Sequence, residues 1–404
     1  MRAWIWIMDR KNKYDIFLIL LIASLAAGGI GGSLRIPRIL AVIFVPKLME
    51  SFRSTKDYTK SFLSFFLIFL AYCVTSLVWT PDIGQGVKEF CYYIVHFILF
   101  LEIIVFARYA RDALRSISTG WMFAIAITVP LAIWELTTGN HFSVMSNYEE
   151  EVLRMGSVVV ERPFAAATFG GFNGFIVFLC WAFPFVVYSM LIPRKKTVTI
   201  VGFALVLFVI AMVIIIASRG GVLALLIMGA IFVVMNQKNI GKLLLLLSIL
   251  VVFYISIDFD VDLLFGITSR VTGETLTSDD VRSVLWQKAF HLFLNSLGFG
   301  VGIGGLSAAM KSLNAVITMP HNLFLEILAQ YGLIFTLVFI IYLLKLLIKA
   351  KRLDDRAVKT IVYMSLIALP VYGIIDSGYL LNAELYAALA SLTVFANSKK
   401  IVNH

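Results

Sequence analysis

VTIVGFALVLFVIAMVIIIASRGGVLALLIMGAIFVVM, residues 198–235, decides the architecture. Two apolar runs, 198–217 and 222–235, are joined by Ser218-Arg219-Gly220-Gly221 and nothing longer. A helix needs roughly 20 apolar residues to cross the hydrocarbon of a bilayer. In that medium each backbone polar group must be satisfied within the segment, which selects helices. Arg219 is the one charged residue of the stretch and falls at the reversal. The glycines allow the chain to turn back tightly.

The same pattern spreads outward over the whole chain. Of 404 residues 60% are apolar and only 14% are charged, against about 25% charged in an ordinary soluble domain. Mean hydropathy is +0.93. A single water-soluble core cannot hide so much apolar surface. A soluble enzyme, a disordered chain and a fibrous repeat are excluded. The chain reads as an all-α polytopic membrane protein of about twelve transmembrane helices. The spans are 15–29, 39–46 with its flanks, 61–79, 89–106, 117–135, 168–191, 198–217, 222–235, 243–256, 321–344, 360–374 and 384–398. Pro37 and Pro46 bracket the second and predict a short or tilted helix. The whole is one integral membrane domain in three stretches. Residues 1–256 hold nine helices, 257–320 an external loop, and 321–404 the last three helices.

Charge sets the orientation. The net charge is +10, with no basic stripe outside short loops, so nucleic acid is not an expected partner. Lys and Arg gather in the loops that the positive-inside rule assigns to the cytoplasm. Arg10, Lys11 and Lys13 precede the first span, which reads as a retained signal anchor. Lys345 to Lys359 form the largest cluster. Both termini are then cytoplasmic. Trp79 and Trp134 fall at the outer interface and Trp121 at the inner one. Cys73, Cys91 and Cys180 lie inside apolar runs and read as small buried hydrophobes without metal or disulfide spacing.

Two outside segments, 136–167 and 257–320, exceed simple turns. Within the larger, DVRSVLWQKAFHLFL (280–294) has apolar residues at helical spacing and predicts an amphipathic helix on the outer face, with Thr277 and Asp280 as a capping box. GFGVGIGG (298–305) contains a formal GxGxxG at Gly300, Gly302 and Gly305. No strand precedes it, so a flexible loop is expected rather than a nucleotide fold.

The outward-facing charges are the candidates for chemistry. Thr318 as cap and Pro320 in the first turn predict a helix starting at His321. Its free N–H groups favour an anion and a neutral imidazole, which suits a general base. Asn322 and Glu326 share a face of that helix. Glu326, an intramembrane carboxylate, needs a partner: a base, a substrate hydroxyl or a neighbouring helix. Arg219, Arg282 and Arg162 face the same compartment, and guanidinium groups grip phosphates. Each alone also reads as a snorkelling or structural side chain. Together they suit a diphosphate-bearing lipid substrate. No paired carboxylates are placed for a metal, so charge neutralisation is expected from Arg, with no cofactor.

Three stretches resemble the bacterial O-antigen ligase and O-antigen polymerase superfamily. They are IIIASRGGVLALLIMGAI (214–231), DDVRSVLWQKAFHLFLNSLGFGVGIGG (279–305) and PHNLFLEILAQYGL (320–333). RPFAAATFGGFNGF (162–175) shares the character. The resemblance implies a GT-C-like, metal-independent glycosyltransferase of the bacterial inner membrane. Such an enzyme moves a glycan from undecaprenyl diphosphate to an acceptor sugar hydroxyl at the periplasmic face. Carried over, His321 activates the acceptor, and Arg219 and Arg282 hold the diphosphate. A polymerase joins lipid-linked repeat units and works with a chain-length regulator protein; a ligase moves the glycan to lipid A-core. The motifs do not separate these two, and a lipid-linked glycan transporter or a non-catalytic scaffold are the alternatives outside the family.

Overall fold

The computed structural model describes residues 12–30, 32, 34–52, 55–141, 164–192, 194–236, 278–315 and 317–398. Thirteen α-helices and no strand occur among them. The span expected at 243–256, Arg162, and Thr277 with its cap lie outside the described residues.

The first helix, α1 (Lys13–Ala23), has a reciprocal capping box between Asn12 and Asp15, and tightens into a 3₁₀ turn at Ser24–Ala27. Asp15 also accepts from the backbone N–H groups of Arg111 and Asp112 and from Ser116 Oγ. It thereby ties α1 to the turn between α4 (Ile83–Tyr109) and α5 (Ala113–Thr138). Between them run α2 (Ile36–Phe52) and α3 (Lys56–Ser76). Pro46 does not end α2, which continues through it; the expected short segment is 17 residues long.

The central helix is α6 (Phe172–Leu191), packed on α5, on α7 (Lys196–Ile215) and on α12 (Arg356–Tyr372). Next come α8 (Arg219–Met235), α9 (Ser278–Asn295), the short α10 (Leu306–Ser312) and the long α11 (Leu323–Lys351). A 3₁₀ turn at Tyr379–Leu381 leads into α13 (Ala383–Ala396), which packs against α4.

Among the described residues six helices are long and apolar enough to cross a membrane: α4, α5, α6, α7, α11, and α3 over Thr59–Ser76. The chain is a multi-pass membrane protein by that measure. Twelve full spans are not reached among the described residues. The helix α1 stops after 11 residues, while α8 and α13 are apolar but short, at 17 and 14 residues.

Two expectations from side-chain type change. Trp121 is not interfacial. It is fully buried, stacked on Phe185 at 5.4 Å, with its indole N–H 3.3 Å from Ser391 Oγ. A buried Trp needs such a partner for its one donor. Cys73 and Cys180 are buried as expected, but Cys91 faces outward from α4.

The glycine-rich stretch is a packed wedge rather than a flexible loop. Gly298, Gly300, Gly302 and Gly304 all have φ between +70° and +86°. The Val301 and Gly302 amides donate to the Ala329 and Gln330 carbonyls at 2.8 and 3.0 Å, and Leu333 N–H donates to the Gly298 carbonyl at 3.0 Å. These bonds press the turn into α11 where Gly332 breaks the helix with φ 79°, ψ −174°. Glu89 of α4 sits beneath it and accepts from Gly304 N–H at 3.1 Å and Gln330 Nε2 at 2.7 Å. Nothing in this arrangement is a dinucleotide fold. Its effect is to fasten the α9–α10 layer to α4 and α11.

Candidate active site

The three motifs singled out in the sequence meet at one residue, Ile375, in the turn after α12. From α9, Arg282 Nη2 reaches the Ile375 carbonyl at 3.4 Å. The same carbonyl lies near enough to the His321 imidazole to favour its protonated form. At the start of α8, Gly220 packs on the Ile375 side chain so closely that a Cβ there would lie 2.8 Å from Ile375 Cγ1. A residue with no side chain is therefore required beside Arg219.

The turn holding Arg219 is built by its neighbours. Ala217 takes φ 54°, and Ser218 N–H bonds back to the Val213 carbonyl at 3.2 Å, which ends α7. The Ser218 hydroxyl accepts from Gly221 N–H at 3.2 Å and caps α8. Arg219, the first residue of that helix, is exposed.

His321 does not open its helix. The cap of α11 is Asn322, whose Oδ1 accepts from Phe324 and Leu325 N–H at 3.0 and 3.2 Å. Leu323 N–H bonds the Gly373 carbonyl and Glu326 N–H the Asn322 carbonyl, both at 2.8 Å. The amides of Leu323, Phe324 and Leu325, three of the four that a helix start leaves free, are thus taken by protein. The cap side chain and the α12 terminus occupy the helix end where an anion was expected. Neither Thr318 nor Pro320 plays the role assigned from sequence. The Pro320 carbonyl instead accepts from Trp286 Nε1 at 2.8 Å. So α9 holds the 320–321 turn through Trp286 and the 375 turn through Arg282, one helical turn apart.

His321 takes φ 49° just outside the helix, which turns its ring into a cavity of about 400 Å³. Burial first, and the nearby Arg282 charge second, push its pKa down to about 4. The ring Nδ1 is buried with no hydrogen-bond partner.

Glu326 does not reach the cavity wall. It is buried and accepts from Gly378 and Tyr379 N–H at 2.9 and 3.1 Å. Of the alternatives for this carboxylate, the structural one is realised: it holds the turn that carries Asp376. Asn322 likewise acts as a cap. Among the described residues the wall takes in His321 but neither Arg219 nor Arg282. Arg162 lies outside the described residues. The strand of chain just after it returns to α5, where Phe164 stacks on His141 at 4.2 Å and Glu135 accepts from Ala166 and Ala167 N–H.

Sequence reasoning missed three charged groups of the wall: Arg35, Asp376 and Glu384. Burial pushes the Asp376 carboxyl up to about 6. The rule applied to Glu326, that an acid among apolar residues needs a reason, applies equally to Asp376 and Glu384 and would have found them.

Residues 203–341 match the O-antigen ligase family model. The matched segment carries Arg219, Arg282, His321, Asn322 and Glu326, and runs from α7 into α11. It leaves out Arg35, Asp376 and Glu384. The chain is also similar to the "Teichuronic acid biosynthesis protein TuaE" of Bacillus subtilis (strain 168), with 23% identity over 287 residues. The alignment covers 68% of this chain and 57% of that protein, so the chain spans little more than half of its relative. Both matches support the resemblance to the O-antigen ligase and polymerase superfamily stated from the motifs.

Proposed function

We propose that the chain is a glycosyltransferase of the bacterial inner membrane that polymerises polysaccharide at the outer face. The donor is a glycan on undecaprenyl diphosphate, and the acceptor is a hydroxyl of another lipid-linked repeat unit. The observation that carries this reading is the convergence on Ile375 of Arg219's turn, Arg282 and His321, residues far apart in sequence.

In this reading His321 Nδ1 takes the proton of the acceptor hydroxyl as its oxygen attacks the anomeric carbon. The bond from that carbon to the diphosphate breaks, and the leaving diphosphate gains negative charge. Arg282 and Arg219 offset that charge, and Arg162 is assigned to the same task. Charge developing in a poorly hydrated site is where fixed cations act most strongly. A base that is neutral at pH 7 is ready without first losing a proton. Both termini are placed in the cytoplasm by the basic loops.

The ligase reading, with lipid A-core as acceptor, is the second. It has in its favour the description of the family model. The relative named for teichuronic acid biosynthesis does not by its name separate the two.

The deciding measurement is a gel profile of surface glycan in a deletion strain carrying wild type, His321→Ala or Arg282→Ala. A polymerase deletion leaves single repeat units, and neither variant restores the ladder. A ligase deletion instead leaves long polymer on the lipid carrier. A full ladder from both variants refutes the site.

A further inference from the structure

The cavity has a second polar corner that the reaction above does not use. There Glu384, at the start of α13, is buried to 6% exposure, and its Oε2 has no hydrogen-bond partner. Arg35 Nη1 donates to Asn382 Oδ1 at 2.8 Å beside it. Gly28 lies between the Glu384 carboxylate and the Phe169 ring: a Cβ on Gly28 would come within 2.8 Å of Glu384 Oε1 and 2.5 Å of Phe169 Cε1. Arg35, Asn382, Glu384, Gly28 and Phe169 all belong to the cavity wall, as does His321.

A buried carboxylate oxygen with nothing to accept from is costly, and each such group in a native protein calls for an explanation, of which a bound ligand is one. The neighbours indicate which ligand. A pyranose ring has a rim of hydroxyl groups and a flat face of C–H groups. A carboxylate, an amide and a guanidinium match the rim, and an aromatic ring matches the face. A cavity of about 400 Å³ is within the range of small-molecule sites and has room for a sugar ring.

We propose that this corner is a saccharide subsite, in which Glu384 Oε2 accepts a hydrogen bond from a sugar hydroxyl while the ring packs against Phe169. Glu384 thereby positions the sugar unit that enters the cavity with the reacting end near His321. The proposal rests on the glycan-transfer reading but concerns binding, not bond making. Gly28 is part of the device, because a methyl group there displaces Glu384 or Phe169.

The test uses the full chain in lipid nanodiscs. Saturation-transfer difference NMR is run with three probes: methyl α-D-glucopyranoside, methyl β-D-galactopyranoside and N-acetyl-D-glucosamine. Wild type is expected to bind at least one. Glu384→Ala is expected to weaken that binding about tenfold or more, the effect of losing a hydrogen bond to a charged group. Glu384→Gln is expected to keep part of it, and Gly28→Ala to lose it. Lys311→Ala, at an exposed position of α10 outside the cavity wall, is expected to bind as wild type does. The thermal midpoint separates this from a structural role. Removing an unpaired buried carboxylate leaves the midpoint unchanged or raises it, whereas removing a structural one lowers it.

The proposal is overturned if wild type binds none of the probes, if Glu384→Ala binds as wild type does, or if Glu384→Ala lowers the midpoint. Failure of the glycan-transfer reading looks different. In that case the His321→Ala strain makes a normal ladder while sugar binding still depends on Glu384.

Discussion

His321 is neutral at physiological pH because it is buried and faces Arg282, and this has a sign that can be measured. Its pKa is pushed down to about 4 from the usual 6.5, so the unfolded chain binds more protons between those values. Stability linked to this group is present above about pH 6.5 and is lost as pH falls toward 4. The acid limb of kcat/KM in the free enzyme is expected near pH 4 rather than 6.5, as read from initial rates between pH 3.5 and 8. Replacing His321 by Ala is expected to lower kcat roughly 10²–10⁴-fold, the range for loss of a general base. The residue types were legible in the sequence. It could not give the backbone at His321, because φ 49° at a non-glycine residue follows from tertiary bonds at Pro320 and Leu323. It also passed over Glu384, whose unpaired oxygen is visible only once the walls around it are assembled.

Among the elements, α9 has the most to do with the site. Its Arg282 and Trp286 hold two separate turns, and the glycine wedge fixes its far end against α11. Trp286→Phe keeps the bulk of the ring and removes the bond to the Pro320 carbonyl. That change is expected to cost about 1 kcal/mol in stability and to lower kcat more than it changes KM, since His321 moves with the 320 turn. A more severe result is expected at Gly332. Its φ and ψ lie in a region that is essentially glycine-only, which alone costs about 1–3 kcal/mol for another residue. A Cβ there would also lie 2.2 Å from the Gly298 carbonyl oxygen. Gly332→Ala is therefore expected to lower the thermal midpoint sharply in a detergent-solubilised melt. The apolar runs made the helices legible, and the amphipathic stretch at 280–294 was correctly read as helical. The ends were harder: Asn322 was legible as a cap in principle, but Thr318 and Pro320 form an equally good local signal. The choice is made by the α12 terminus, which supplies a carbonyl to Leu323.

At the scale of the whole molecule, hydropathy showed the class of the protein but not the number of full crossings. Short helices such as α1 and α13 are stable here through packing against α5 and α4 rather than through length. Orientation remains a matter of charge distribution, and it is open to direct measurement. In a chain with Cys73, Cys91 and Cys180 replaced, Ser312→Cys on α10 is expected to react with a membrane-impermeant maleimide added outside intact cells. Lys351→Cys at the far end of α11 is expected to react only after lysis. The cavity joins Gly28 and Arg35 to Glu384 on α13. A ribosome must therefore pass residue 384, and α13 must settle beside α4, before the pocket exists at all. During synthesis the growing protein can carry both the Arg282 helix and the His321 turn and still have no walled chamber between them and α13.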